Sequence, residues 1–234
     1  MMGPIQLVVF DMAGTTIEDS GGRVLRCLIE TTRSLDLPGT EEELNALMGM
    51  DKREVFGLLA ERRYPQDVVR ANQVADSALT NFVARMRATY EDKLTPMPGV
   101  EETFTFLRKR GISVATDTGF DATIGGLIME RLNWLGRLVD CAIYSSDVSR
   151  GRPAPYMIFR AMERLNVHDV RQVMKIGDSP SDLEEGMNAG CGEVIGVLSG
   201  AHTAITLGAY PHTRLIQSVA DLPLLFDKKG YTCE

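Results

Sequence analysis

Acidic residues stand directly after short apolar runs at three places in this 234-residue chain. The first is Val8-Val9-Phe10-Asp11-Met12-Ala13-Gly14-Thr15-Thr16. A carboxylate just past a buried strand can present an oxygen to a substrate while the N–H groups of the following turn face an anion. The segment also fits an ordinary strand end that happens to carry an aspartate. In the second, Ile112 to Ala115 is followed by Thr116 and Asp117; the third, Lys175-Ile176-Gly177-Asp178-Ser179-Pro180-Ser181-Asp182, has two carboxylates four residues apart. Acidic groups gathered around Asp11 suit a hard cation such as Mg²⁺, which takes oxygen ligands and leaves positions open.

Positioning these groups together requires a particular scaffold. Leu7 to Phe10, Ile112 to Ala115, Val173 to Ile176 and Val194 to Val197 are β-rich runs, and helical patterns such as Val100 to Lys109 and Pro155 to Leu165 lie between the later ones. Buried strands alternating with helices predict an α/β fold with a parallel, doubly wound sheet, whose ligands bind beyond the carboxyl ends of the strands. Asp11, Thr116 and Asp178 fall there. Residues 18–93 break the alternation: Val24 to Leu35, Thr40 to Leu47, Asp51 to Arg62 and Gln66 to Tyr90 read as amphipathic helices, with Thr40 a fitting N-cap before Glu41 to Glu43. Two prolines in Thr95-Pro96-Met97-Pro98-Gly99-Val100 mark the re-entry. The expectation is a Rossmann-like three-layer core at 1–16 and 94–234, carrying an all-helical cap at 17–93.

Composition excludes several function classes. With 25 Lys and Arg against 32 Asp and Glu, the net charge is −7, which argues against a nucleic-acid footprint. A small anionic substrate remains compatible, since a metal ion or a few placed cations make one pocket positive. Met1 to Phe10 lacks a basic stretch and reads as a strand, not a signal peptide, and no run approaches the roughly 18 apolar residues of a membrane span. Cys27, Cys141, Cys191 and Cys233 lie far apart without CxxC spacing, so each reads as a lone thiol and a reduced, cytoplasmic compartment fits. His168, His202 and His212 match no metal-ligand spacing and read as surface or loop residues. Trp134 is expected on the helix before the third strand, and most of the 12 methionines as core filler.

Taken in order, with Gly151-Arg152-Pro153 between the second and third segments, these motifs resemble the haloacid dehalogenase superfamily. The resemblance implies an aspartyl-phosphate mechanism. Asp11 becomes the nucleophile, Thr116 and Arg152 hold the phosphoryl oxygens, and Asp11, Ala13, Asp178 and Asp182 surround Mg²⁺. Ester hydrolases of this superfamily generally place a second Asp two residues after the nucleophile as general acid and base, whereas this chain has Ala13. An alkoxide leaving group without a proton donor loses roughly 10² to 10⁴ in rate. Carbon can leave from phosphorus instead if a protonated imine takes its electrons, and an imine requires a lysine and an aldehyde.

Asp11-Met12-Ala13-Gly14-Thr15-Thr16 resembles the signature of the phosphonoacetaldehyde hydrolase family, and Thr118-Gly119-Phe120 resembles its Thr-Gly-Tyr. Met48-Gly49-Met50-Asp51-Lys52 matches that family's Met-Gly-x-x-Lys, whose lysine forms the Schiff base. Gly14, Thr15, Met48, Gly49, Asp117, Thr118 and Gly119 are then the expected substrate contacts. Met48, Lys52, Val55 and Leu59 also lie at helical spacing on one apolar stripe, where burial favours the neutral amine. Lys52 equally fits a cation that only touches substrate, or a snorkelling surface lysine. The family places His three residues after its lysine; here Val55 stands there. Gly196 to Thr203 and Ser218 to Pro223 resemble the sister group of phosphonatase-like hydrolases. The expected activity is Mg²⁺-dependent cleavage of the C–P bond of phosphonoacetaldehyde or a related phosphono-aldehyde. A phosphatase of small monoesters lacking the second Asp, and a non-catalytic phospho-ligand binder, are the alternatives. The resemblance further implies a homodimer formed through the cap.

Overall fold

Five consecutive apolar or chain-end residues with no exposed face make Leu7–Asp11 (β1) the natural centre of a sheet, because a strand buried on both sides needs no alternation. A computed structural model, describing residues 4–19 and 21–229, places it there. Cys233 and Met1 to Gly3 lie outside the described residues.

Along the chain follow the helices Arg23–Ser34 (α1), Glu41–Ala46 (α2), Lys52–Arg63 (α3), Val68–Asp92 (α4) and Val100–Lys109 (α5), the strand Ser113–Thr118 (β2), the helix Ala122–Leu132 (α6) and the strand Cys141–Tyr144 (β3). Tyr156–Leu165 (α7), Val173–Gly177 (β4), Pro180–Ala189 (α8), Glu193–Val197 (β5), Ala204–Gly208 (α9), Arg214–Ile216 (β6) and Leu222–Lys229 (α10) complete it. All six strands are parallel, in the order β3-β2-β1-β4-β5-β6. The chain therefore leaves β1 toward β2 on one side and reaches β4 on the other, and the crevice at that switch point opens beyond Asp11.

The strand side chains alternate between two helical layers. Val8, Phe10, Val114 and Ile176 face α5 and its surroundings, where Phe10 meets Phe104 edge-on at 5.0 Å. Leu7, Val9, Ala115 and Val173 face α7 through Met157, Ile158 and Ala161. The fold is thus the expected three-layer α/β sandwich. Strands β3 and β6, of four and three residues, are too short to stand out in the sequence.

Helices α1 to α4 occur where the apolar period places them. Thr40 caps α2 in a full capping box with Glu43, which satisfies otherwise orphaned N–H groups. Their apolar faces join the sheet's own core through Phe120, whose ring lies 6.4 Å from Phe82 and 6.0 Å from Tyr90. The two chain segments connecting these helices to the sheet run side by side: Glu18 N donates to Thr95 O and Met97 N to Thr16 O, both at 2.9 Å.

Three sequence expectations change. Trp134 sits beyond α6, after Asn133 has ended the helix in the left-handed conformation; it is fully buried edge-on to Phe104 at 5.3 Å, and its Nε1 donates to Glu101. Met48 is buried as expected but is not on the lysine's helix, because α3 starts at Lys52 with Asp51 as its N-cap. His202 is neither a surface nor a free loop residue: it is buried, with Nδ1 3.1 Å from the Asp178 carbonyl. No helix among the described residues is long and apolar enough to cross a membrane.

Candidate active site

Asp11 ends β1 directly opposite Asp117 on β2, and Asp178 follows the last residue of β4. Three parallel strands thereby deliver carboxylates to one edge. The turn after Asp11 folds back on itself, with the N–H groups of Thr15, Thr16 and Ile17 all donating to the Met12 carbonyl. Gly14 occupies a positive φ of 89° there, and a Cβ on it would stand 2.6 Å from Asp178 Oδ2. Glycine is required on both counts.

A small cavity of about 30 Å³ lies over these strand ends, lined by Asp11, Ala13 and Asp178 from the sheet side and by Met48, Gly49 and Lys52 from α3 and its leading turn. Thr118, Gly119, Phe120, Ser179, Asp19, Val24 and Ala201 complete the wall. Space on this scale holds a water or two, so the enclosed state must open to admit any organic substrate.

The closure has identifiable causes. Cβ atoms on Gly119 and Gly151 would stand 2.5 Å from the Met50 carbonyl and 2.7 Å from Asp51 Cβ, and Ser181 Oγ donates to Met48 O at 3.2 Å. Three sheet loops therefore clasp the 48–51 turn, two of them through residues that lack a side chain. Gly119→Ala should lower turnover on the order of 10²-fold by displacing Lys52, since about 1 Å of misplacement costs that much, with little change in melting temperature. Wild-type steady-state rates in that variant would show that this approach is unnecessary.

Lys52 is 4% exposed, with Nζ donating to the Met50 carbonyl at 2.9 Å. Burial pushes its pKa down to about 8, against the pull of Asp51 and Asp11, and nearby Arg152 helps lower it. The snorkelling alternative is removed by this burial.

Beneath the cavity lies a layer of ions. Arg152 is fully buried: Nη1 donates to Asp11 Oδ1 at 2.7 Å and stands 2.9 Å from Asp182 Oδ1, Nη2 pairs with Asp117, and Nε donates to Glu185 at 3.1 Å. Lys175, in the middle of β4, reaches Asp117, Glu185 at 2.8 Å and Asp182 at 3.2 Å. Five carboxylates (Asp11, Asp117, Asp178, Asp182 and Glu185) thus surround two cations. The deficit shows in their titration. Burial, then Asp182, pushes Asp11 up to about 7 despite Arg152 and Lys175. Burial and Asp11 raise Asp178 well above the usual range, and burial and Asp117 raise Glu185 to about 8. Only Asp117 is held low, because Arg152 and Lys175 outweigh its burial.

A divalent cation would relieve that deficit. Asp11, Asp117 and Asp182 have oxygens within 4.8 Å of one another, and buried Asp117 Oδ2 and Asp182 Oδ1 have no hydrogen-bond partner. Asp117 is already engaged by two cations on the side away from the cavity, whereas Asp178 lines it. Asp11, Asp178, Asp182 and the Ala13 carbonyl therefore make the more accessible oxygen set, and a hard cation fits it. Adding Mg²⁺ to EDTA-treated protein should raise the melting midpoint by about 5–10 °C at a hundredfold excess over Kd. Asp178→Asn should abolish most of the shift in a thermal scan; an unchanged shift would place the metal elsewhere.

The structure brings together Asp11, Ala13, Met48, Gly49, Lys52, Thr118, Gly119 and Asp178 around the cavity, and leaves other expected residues off its wall. Thr116 is fully buried with Oγ1 3.9 Å from Met129 Sδ under α6, one pleat short of the strand end; Thr118, at that end, takes the position expected of it. Asp117 points into the ionic layer and not toward substrate. Gly14 and Thr15 close around Asp178, with Thr15 Oγ1 donating to it at 3.3 Å. Arg152 meets the cavity through Asp11. Sequence reasoning missed Lys175 and Glu185, though a lysine inside the buried run Val-Met-Lys-Ile-Gly is itself a signal that acids await it. It also missed Asp19, Phe120 and Ala201, whose N–H donates to Asp178 at 2.7 Å.

These features agree with the chain's relatives. The model of the haloacid dehalogenase-like hydrolase family matches residues 5–190. A phosphonoacetaldehyde hydrolase of Parabacteroides distasonis is 29% identical over 215 residues, covering 86% of this chain and 79% of that protein. One from Bacillus cereus is 31% identical over 206 residues, covering 84% and 77%. The crystal structure of a phosphonoacetaldehyde hydrolase like protein from Oleispira antarctica shares the fold at a TM-score of 0.79 and 22% identity, over 97% of this chain and 93% of that one. The chain belongs to the haloacid dehalogenase-like hydrolases and is an enzyme of that family, similar over most of its length to proteins named phosphonoacetaldehyde hydrolase.

Proposed function

We propose that the protein is a Mg²⁺-dependent hydrolase that cleaves the C–P bond of phosphonoacetaldehyde or a close phosphono-aldehyde. The observation that carries this reading is the meeting of Lys52 and Asp11 in one cavity, the lysine buried and its amine easily made neutral. An ester hydrolase has no use for such an amine, and with Ala13 it lacks its usual acid at that position.

In the proposed reaction the neutral Lys52 amine attacks the aldehyde carbon, and loss of water leaves a protonated imine. Asp11 then attacks phosphorus. The C–P bond pair moves into the carbon skeleton, neutralising the imine to an enamine, and phosphorus remains on Asp11 as an aspartyl-phosphate. The enamine takes a proton at carbon, water releases acetaldehyde from Lys52, and a second water releases phosphate from Asp11. Arg152 holds Asp11 in place through its 2.7 Å bond, and Thr118 faces the phosphoryl group from the end of β2. Asp11, Asp178, Asp182 and the Ala13 carbonyl would hold Mg²⁺, whose charge offsets that of the phosphoryl oxygens. The closed turn at 48–51 excludes bulk water and makes opening a necessary step of turnover.

The test is substrate preference followed by phosphorus NMR. Metal-dependent phosphate release from phosphonoacetaldehyde, with small phosphate esters turned over at least about 10²-fold more slowly, supports the reading. Preference for an ester would overturn it in favour of a phosphatase, and release from neither in favour of a binder.

A further inference from the structure

One carboxylate in the cavity has no part in the steps above. Asp19 lines the space that holds Asp11, Lys52 and Asp178, and it also lines an adjoining opening of about 440 Å³ that leads outward past Met48 and Ala201. Its side chain is 8% exposed. One oxygen accepts from Val24 N at 3.1 Å in the first turn of α1, and Arg23 Nε stands 4.0 Å away, so the group is held in place. Burial raises its pKa, keeping a proton on it at higher pH than on an ordinary aspartate.

The chemistry of an imine needs such a group. Water leaves a carbinolamine readily only when its hydroxyl is protonated, and water adds to an imine readily only when a base takes its proton. The other protic groups on the wall are engaged. Ser179 Oγ donates to Asp182 at 2.5 Å, and Thr118 Oγ1 accepts from Phe120 N at 3.2 Å. Ala13 and Val55 carry no proton at all. Asp178 belongs to the metal set, and Asp11 is the nucleophile.

We propose that Asp19 is the acid–base residue of this cavity, a role that rests on the Schiff-base reading above. Its carboxylic acid gives a proton to the departing hydroxyl of the carbinolamine on Lys52: the C–O bond breaks, the nitrogen lone pair forms C=N, water leaves, and Asp19 becomes a carboxylate. After C–P cleavage and protonation of the enamine, the carboxylate takes a proton from the water that adds to the ethyl imine. The C=N pair returns to nitrogen, and Asp19 regains the proton it gave. No external co-reactant is required.

A purely structural role, capping α1, would be met by Asn, which keeps the acceptor for Val24 N. The experiment therefore compares wild type, Asp19→Asn and Asp19→Gly with phosphonoacetaldehyde, Mg²⁺ and borohydride, reading the rate of adduct formation on Lys52 and of phosphate release. Asp19→Asn should keep KM and melting temperature close to wild type while kcat and the trapping rate fall together by about 10²-fold. Added formate, small enough for the vacated space, should restore part of both rates in Asp19→Gly and leave wild type unchanged. Wild-type rates in Asp19→Asn, or a loss in Asp19→Gly that formate does not relieve, overturn the proposal. A wild-type enzyme that neither traps an adduct nor releases phosphate overturns the Schiff-base reading itself, and the role of Asp19 with it.

Discussion

Asp11→Asn should abolish phosphate release, with a fall on the order of 10⁴-fold or more, as expected when a covalent nucleophile is removed. The substitution keeps the shape of the side chain and an oxygen for Arg152 Nη1, so the turn over Asp178 should persist. Stability should move the opposite way. Burial and Asp182 raise the Asp11 carboxyl to about 7, so in metal-free protein its ionisation opposes folding. Because the folded pKa lies above the unfolded one, the favourable contribution is complete below about pH 4 and is lost as pH rises through 7. Metal-free Asp11→Asn should therefore melt above metal-free wild type at pH 8, and the difference should shrink toward pH 4. A variant that is inactive and also less stable at pH 8 would mean that Asp11 is a structural ion-pair partner first.

Lys52→Met carries the second large effect. Turnover of phosphonoacetaldehyde should drop below detection, because no other lysine lines the cavity. Folding should be strengthened. Lowering the amine from 10.5 to about 8 corresponds to about 3 kcal/mol at pH 7, and methionine fits the same slot between Met48 and Val55. The sign follows from linkage: with the folded pKa depressed, the cost of burying the charge is complete below about pH 8 and disappears by about pH 10.5. Denaturant titrations at pH 7 and pH 10.5 should thus show a gain for Lys52→Met at the first and little at the second. In wild type the same titration should make trapping of aldehydes by Lys52 rise with pH and level off above about 8. Equal stability of the two proteins at pH 7 would indicate a lysine that keeps its hydration.

The sequence carried the scaffold well because its strongest features are local. The run Leu7 to Asp11 is apolar throughout and then acidic, which only a central parallel strand ending at a crevice accommodates. The long helices Arg23–Ser34 and Val68–Asp92 announce themselves by period, and Lys52 by its apolar neighbours. What stayed hidden depends on partners distant in the chain. Whether Thr116 or Thr118 reaches the cavity turns on where α6 stops covering β2, and on which pleat lies at the strand end. Asp117 is written beside both threonines, yet its partners are Arg152 and Lys175, 35 and 58 residues away. The pairing of β1 with β4 sets Val9 beside Lys175 and turns a lysine in an apolar strand into part of an ionic layer. His202 looks like a loop residue until the 199–202 segment wraps over Asp178. Asp19, just beyond the β1 turn, gains its meaning only when α1 and the 48–52 turn close around it.

The central claim is that Lys52 makes a covalent bond to the substrate while Asp11 takes the phosphoryl group. Borohydride added to wild type during turnover of phosphonoacetaldehyde, followed by peptide mass analysis, reads the first half directly. The account predicts an ethyl or phosphonoethyl group on Lys52 alone, absent in Lys52→Arg, whose guanidinium cannot form the imine. Phosphate release without any adduct on Lys52, or undiminished release by Lys52→Arg, would contradict it and leave the lysine as a cation that only touches the substrate.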